Sequence, residues 1–366
     1  DQTDNPHCPC YPDFPQLGAD RYGVYLSGAL YGSRSFQPGQ DSLVGAGIFV
    51  MPKDVLTAPH APGTSIDPTV KEFIVKGESY IMPAYAAPGG GPQESRGRGT
   101  EYLVSSDPGD CSVRCDRLHL FALSGTSTLR SGLVRLRLDE RDVAVEPYAL
   151  PIAAPQRDGS RPYAASLVAP GAPLPPVPRL DAVDSGINAS MLFAGGVLWP
   201  TLSTSVAGPH GIAKDGIAYF GLAPRLAADG RLISVRVERQ GYVVAPDDTF
   251  LLFPSVAADA LGRGAIGFTV AGAARHPSAG FAPLRRGSVG PIVVAAAGAL
   301  PADSYTGYDA NDPQAQGTEA WGDYSAATFD EAGTVWLGAE YVPDTRVSPR
   351  TSEANWGTWL TRYKPW

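Results

Sequence analysis

The stretch FPSVAADALGRGAIGFTV at residues 253–270 is a run of small and apolar residues, an Asp/Gly-rich turn, and a second apolar run. That order is a hairpin of two strands, because Asp and Gly supply the backbone conformations that a tight turn requires. It returns at 321–339 in WGDYSAATFDEAGTVWLGA, at 14–28 in FPQLGADRYGVYLSG and, more loosely, at 187–204 in INASMLFAGGVLWPTLST. Gly23, Gly196, Gly264 and Gly333 then serve as register marks, the last three roughly seventy residues apart. A period of that size built only of strands is what a propeller blade gives, since a four-stranded sheet cannot cover its own faces and stacks on its neighbours.

Outward from this stretch, short runs of Val, Ile, Leu, Phe and Tyr alternate with Gly, Pro and Asp turns, and helical periodicity is nearly absent. The pattern predicts an all-β fold: a single β-propeller domain over 1–366, with five four-stranded blades whose strands run A to D from the central channel outward. The fourth blade is expected at 255–259, 265–271, 279–284 and 291–297, and the fifth supplies 324–329, 334–342 and 356–363. The first reads 16–20, 24–28, 46–50 and 70–75; the second 80–85, 101–104, 117–123 and 134–145; the third 189–194, 197–206, 217–222 and 232–242. The Pro-rich stretch 147–178 lacks alternation and is expected to wrap the outside as an ordered loop. Strands concealed there would make six blades.

Composition narrows the function classes. Gly 42 and Pro 35 belong in turns, because a hydrophobic content of 43% argues against disorder. A net charge of −8 with no basic run disfavours a nucleic-acid partner and an anionic membrane surface, and favours a small neutral ligand, a glycan or a cation. No apolar run is long enough to span a bilayer, so membrane insertion is not expected. A chain opening at Asp1 reads as a processed, secreted protein, extracellular or periplasmic. Its four cysteines fall in two close pairs, Cys8/Cys10 and Cys111/Cys115. These could be disulfides or a zinc site, and C-x-C with C-x₃-C, which is not a standard zinc-knuckle spacing, favours disulfides.

Strand order assigns loops to faces. The D–A and B–C loops share one side, which gathers the long polar and aromatic segments. There the register places Asp13, Cys8, Cys10, Cys111 and Cys115, together with His210 and His276 at equivalent positions of successive blades. Histidines so related could converge over a channel in an acid–base or metal site. His60 and His119 are read as ordinary loop and strand residues. Carboxylates reach the same side, among them Asp184, Asp309, Asp312 and Asp323. In TGYDANDPQAQGTEAWGDYS, Asp309, Asn311 and Asp312 offer closely spaced oxygens that could hold calcium, although the distal Glu of a full calcium loop is missing. Tyr308 and Asp184 are candidate ligand contacts. Asp323 and Tyr324 enter an inner strand and should face the channel mouth. Arg346 and Arg350, in VPDTRVSPRTSEANW, could pair with a carboxylated sugar. No serine-nucleophile elbow or phosphate loop occurs.

The motifs FPQLGADRYGVYLS, LFPSVAADALGRGAIGFTV and WGDYSAATFDEAGTVWLGAEY, with NWGTWL beyond, resemble secreted bacterial propeller proteins of the broad sialidase-like group. The turn Thr328–Trp336 is similar to an Asp-box with one residue too many. No arginine triad or Tyr/Glu nucleophile pair matches, so sialidase activity is not carried over. Three functions stay open: a secreted carbohydrate-active hydrolase or lyase using Asp323, Tyr324, His210, His276 and Asp13; a non-catalytic glycan- or protein-binding propeller; and a His-centred metalloenzyme.

Overall fold

A computed structural model of the chain describes residues 10–32, 43–59, 61, 69–86, 99–106, 114–131, 133–303, 317–344 and 354–365. The structure is all-β. Its first repeat is an antiparallel meander of β1 (Cys10–Ala19), β2 (Gly23–Gly32), β3 (Leu43–Pro52) and β4 (Lys71–Val75), with the one-turn helix α1 (Lys53–Thr57) between the last two. The second joins β5 (Met82–Ala86), β6 (Thr100–Ser106), β7 (Cys115–Ser124) and β8 (Arg137–Tyr148) in chain order. Next come helix α2 (Pro162–Leu167) and the two-residue strand β9 (Arg179–Leu180). The third repeat holds β10 (Met191–Ala194), β11 (Val197–Leu198), β12 (Thr201–Ala207), β13 (Ala213–Leu226) and β14 (Leu232–Val243). The strand expected at 197–206 is split at Trp199-Pro200, because proline has no N–H for the ladder.

The fourth repeat runs β15 (Phe250–Ala258), β16 (Gly264–Gly272), β17 (Arg275–Arg285), β18 (Ser288–Val289) and β19 (Val293–Ala296), with both β18 and β19 antiparallel to β17. After β20 (Thr318–Glu319), which pairs in parallel with β9, the last three strands are β21 (Ala326–Phe329), β22 (Val335–Tyr341) and β23 (Gly357–Tyr363), again an antiparallel meander. Between Tyr148 and Arg179 there is an isolated bridge, Ala154 to Leu180, and helix α2, but no strand of a sixth repeat. The stretch is ordered by Gln156, whose amide donates to Pro178 O and Ala302 O and accepts from Ala302 N at 2.9, 3.2 and 2.8 Å.

The sequence repeat is a backbone repeat. Phe14 and Phe253 each precede a proline, each has a positive φ (53° and 48°), and each sits where the pairing with the next strand slips. Asp323, with φ 51°, stands just ahead of β21. Bulky residues rarely adopt this conformation, so Phe14 and Phe253 mark a strained point within β1 and β15, and Asp323 adopts it just ahead of β21. The hairpins that follow are capped by their aspartates. Asp20 Oδ1 accepts from Tyr22 N and Gly23 N (2.6 and 2.7 Å), Asp259 Oδ1 from Leu261 N and Arg263 N (both 2.9 Å), and Asp330 Oδ1 from Thr334 N (2.8 Å). The left-handed turn residues are Gly262 (φ 67°) and Gly333 (φ 73°), which moves the register mark of the fourth repeat from Gly264 to Gly262.

The chain divides into two compact units. The first is Asp1–Pro147, Gly186–Pro200 and Phe220–Arg239; the second is Tyr148–Ser185, Thr201–Tyr219 and Gln240–Trp366. In the first, the leading strands pair in parallel: Ala19 of β1 opposes Tyr85 of β5, and Ala84, Tyr85 and Ala86 oppose Met191, Leu192 and Phe193 of β10. The first two repeats and the start of the third are therefore joined through their leading strands in one hydrogen-bonded sheet. Their core joins Tyr25, Ala46, Ile48 and Val50 to Ile81, Leu103, Phe121 and Leu123. The second unit has its own core, in which Trp321 packs among Phe250, Leu252, Phe253, Ala182 and Val342. No helix among the described residues is long and apolar enough to cross a membrane.

Candidate functional site

The site follows from the alternation of the last sheet. Because successive strand residues face opposite sides, Trp336, Gly338 and Glu340 of β22 share one face, with their partners Arg362, Leu360 and Thr358 on β23 and Thr328 and Ala326 on β21. The opposite face, through Val335, Leu337 and Ala339, is buried. The outward face is the floor of a cleft of about 480 Å³, walled by Trp321, Gly322, Asp323, Tyr324 and Ser325 ahead of β21 and by Trp356 ahead of β23. Gly338 leaves the middle of that floor without a side chain. Tyr324 and Trp356 are 46% and 44% exposed, which leaves their rings open to a ligand.

The wall is fixed from beneath. Trp321 is buried, and its indole N–H donates to Thr269 Oγ1 at 3.3 Å, while the Thr269 hydroxyl donates to Glu340 O at 3.2 Å. Gly322 has φ 79°, and a Cβ there would fall 2.3 Å from the Phe253 ring, so only glycine lets the chain turn this close to the core. That turn aims the Gly322 N–H at Glu340 Oε2, 2.8 Å away.

Glu340 is the electrostatic centre. Burial pushes its carboxyl up to about 7; the Gly322 hydrogen bond opposes the shift, and the charges of Asp323 and Glu319 add to it. Among the described residues lining the cleft, Asp323 and Glu340 are the charged ones, and both are acidic. The arrangement can donate and accept a proton in a cleft that also holds a second carboxylate and aromatic side chains, and it suits a neutral or cationic ligand better than an anion.

Asp323 and Tyr324 are thus together in the cleft. The other candidates are elsewhere or outside the described residues. Asp13 lies within β1 rather than ahead of it, is exposed, and accepts from Phe14 N at 3.0 Å. His276 is the second residue of β17 rather than a loop residue, because the turn after β16 is only two residues long. Its Cε1 would lie 3.3 Å from a Cβ at residue 159, and burial, with the charge of Arg157, lowers its pKa. His210 is in the one-turn segment Pro209–Gly211 between β12 and β13, as the register places it, with its side chain not described. Asp184 is half-buried in the second unit. Cys10 and Cys115 begin β1 and β7, and neither is a free thiol. Cys8, Cys111, Tyr308, Asp309, Asn311, Asp312, Arg346 and Arg350 lie outside the described residues.

Glu340, Trp321 and Trp356 had not been singled out from the sequence. The signal was the alternation of WLGAEY, which puts Glu340 two residues beyond Gly338 on the open face of β22. No protein-family model matches the chain, and no curated protein matches it at a significant level.

Proposed function

We propose that this is a secreted carbohydrate-active enzyme, a hydrolase or lyase, working from the cleft over the last sheet. The observation that carries the reading is Glu340, its carboxyl pushed up to about 7 by burial, in one cleft with Asp323, Tyr324 and Trp356. In the forward step Glu340 gives its proton to the leaving oxygen of a glycosidic bond, and Asp323 stabilises the developing positive charge or activates the attacking water. Tyr324 and Trp356 offer their faces to sugar rings. A neutral glycan fits the acidic lining better than a carboxylated one, whose recognition would call for a cation such as Arg346 or Arg350.

The wider reading is a single β-propeller of the broad sialidase-like group with five blades. Five successive repeats that are largely antiparallel meanders, recurring positive-φ residues in or just ahead of their first strands and aspartate-capped hairpins support it. That neither Cys10 nor Cys115 is a free thiol supports export.

A non-catalytic glycan-binding propeller is the second reading, favoured by the exposure of Trp336 on the same face of β22 as the cleft. The two separate on a panel of neutral polysaccharides. Release of new reducing ends by the parent, reduced about 10²-fold or more in Glu340→Gln with ligand binding retained, supports the enzyme. Binding without release in either protein supports the binder. Full activity in Glu340→Gln overturns the assigned chemistry.

A further inference from the structure

A second chemically loaded row lies in the first unit. Glu78, in the turn ahead of β5, His119 of β7 and Glu140 of β8 each offer one donor atom, and the three atoms lie within 4.8 Å of one another. We infer that Glu78, His119 and Glu140 form a binding site for one divalent transition-metal ion, zinc or manganese.

The row is built by the same alternation as the core. Residues 119, 121 and 123 face one side of β7; Phe121 and Leu123 fill the apolar core there, with Leu138 of β8 packed against it, and His119 and Glu140 are the next positions along the two strands. Ser105 of β6 is the register partner of His119, and its hydroxyl donates to Glu78 Oε2. The other oxygen of Glu78 meets His119 Nδ1. Glu78 is 6% exposed and the His119 side chain 17%, whereas Glu140 is exposed, so the row runs from the core out to solvent and is open to an entering ion. Asp142, two residues beyond Glu140, brings a third carboxylate, with Oδ1 3.8 Å from His119 Nε2.

Charge makes the case for a cation. Glu78, Glu140 and Asp142 lie around one imidazole, and Arg117 is 3.9 Å from Asp142. Even a protonated His119 leaves negative charge in excess at the edge of an apolar core, where unpaired charge is costly. A dication offsets it. One imidazole nitrogen with two or three carboxylate oxygens suits zinc or manganese, whereas calcium takes six to eight oxygens. An ordinary buried Glu78–His119 ion pair would need neither Glu140 nor Asp142.

The test is isothermal titration of the full chain, stripped by chelator and dialysed, with Zn²⁺ and Mn²⁺, alongside thermal melts. One equivalent of either ion binds the parent and raises Tm, and Ca²⁺ at the same concentration leaves Tm unchanged. Glu140→Gln and His119→Gln each weaken binding about tenfold or more, whereas Asp54→Asn on the exposed helix α1 does not. Co²⁺ substitution gives a visible band that disappears with His119. Glu140→Gln keeps the size and polarity of an exposed side chain, so it reads binding even where His119→Gln fails to fold. Absence of stoichiometric binding of both ions to the folded parent, or affinity undiminished in Glu140→Gln, overturns the site.

Discussion

Gly322 N donates to Glu340 Oε2 at 2.8 Å, and this single bond ties the turn ahead of β21 to the open face of β22. It is the anionic form of Glu340 that the bond favours, yet burial outweighs it and holds the carboxyl near 7. The same turn that makes the wall of the cleft therefore sets how tightly Glu340 keeps its proton. Acid–base chemistry at neutral pH needs a group in that state.

The linkage to stability has a definite sign. The ordinary value for Glu340 is 4.5 and the folded value about 7, so between those two pH values the folded chain holds a proton that the unfolded chain has lost. Stability falls as pH rises through that window and is level above it. Glu340→Gln removes the fall, and the variant should exceed its parent above pH 7 by about 3 kcal/mol. Urea midpoints at pH 5 and pH 8 measure it; parallel behaviour of the two proteins would contradict the assignment.

Gly322→Ala and Gly338→Ala should behave oppositely. At Gly322 a Cβ collides with the Phe253 ring at 2.3 Å and the backbone has φ 79°, so the substitution should cost about 2 kcal/mol or more and shift the Glu340 titration upward by displacing its donor. At Gly338 the nearest atom to a new Cβ is Leu360 Cδ2 at 3.6 Å. That variant should melt like the parent and bind glycan more weakly, because the methyl group rises into the cleft floor. Thermal melts with binding titrations separate the two effects.

Much of this was legible in the sequence. The strand runs and Asp/Gly turns carried the all-β repeats, since hairpin chemistry is local: Asp259 caps amides two and four residues away. Asp323 and Tyr324 were reachable because the repeat register places them at the start of an inner strand. Glu340 was harder, because its importance comes from Gly322 and Asp323, which lie across the sheet. The row of Glu78, His119 and Glu140 was invisible for the same reason; RLHLF reads as an ordinary strand until β6 and β8 are laid beside it. His276 was misplaced into a loop because its two-residue turn, Ala273-Ala274, carries neither Gly nor Asp.

Asp215 of β13 gives a second pH signature. It is fully buried, Oδ1 accepts from Ile152 N at 2.9 Å, and Oδ2 has no hydrogen-bond partner among the described residues. Burial pushes its carboxyl up to about 8, beyond what the Ile152 bond and the charge of Arg179 offset. The folded state therefore keeps a proton between about pH 4 and 8, and the contribution to stability declines across that range. Asp215→Asn retains the acceptor for Ile152 without a charge, so it should stabilise the protein most at pH 8 and above and least near pH 4. A variant with a pH-independent difference from the parent would refute the cause.

The aspartate-capped hairpin can be dissected at Asp259. Its Oδ1 holds Leu261 N and Arg263 N, while Oδ2 pairs with the Arg263 guanidinium at 2.8 Å to Nε and 2.7 Å to Nη2. The arginine side chain is 40% exposed, so the ion pair is worth roughly 0–1 kcal/mol. The two amide bonds define the turn itself, and losing them should cost about 1–2 kcal/mol. Asp259→Asn keeps an amide-accepting oxygen and should lose only the smaller contribution, whereas Asp259→Ala loses both. Denaturant midpoints in high and low salt distinguish them: the Ala deficit should persist in salt and the Asn deficit should vanish. If Asn proves as damaging as Ala at low salt, the ion pair with Arg263 rather than the turn capping carries this hairpin, and the equivalence with Asp20 and Asp330, which have no such arginine bond, fails.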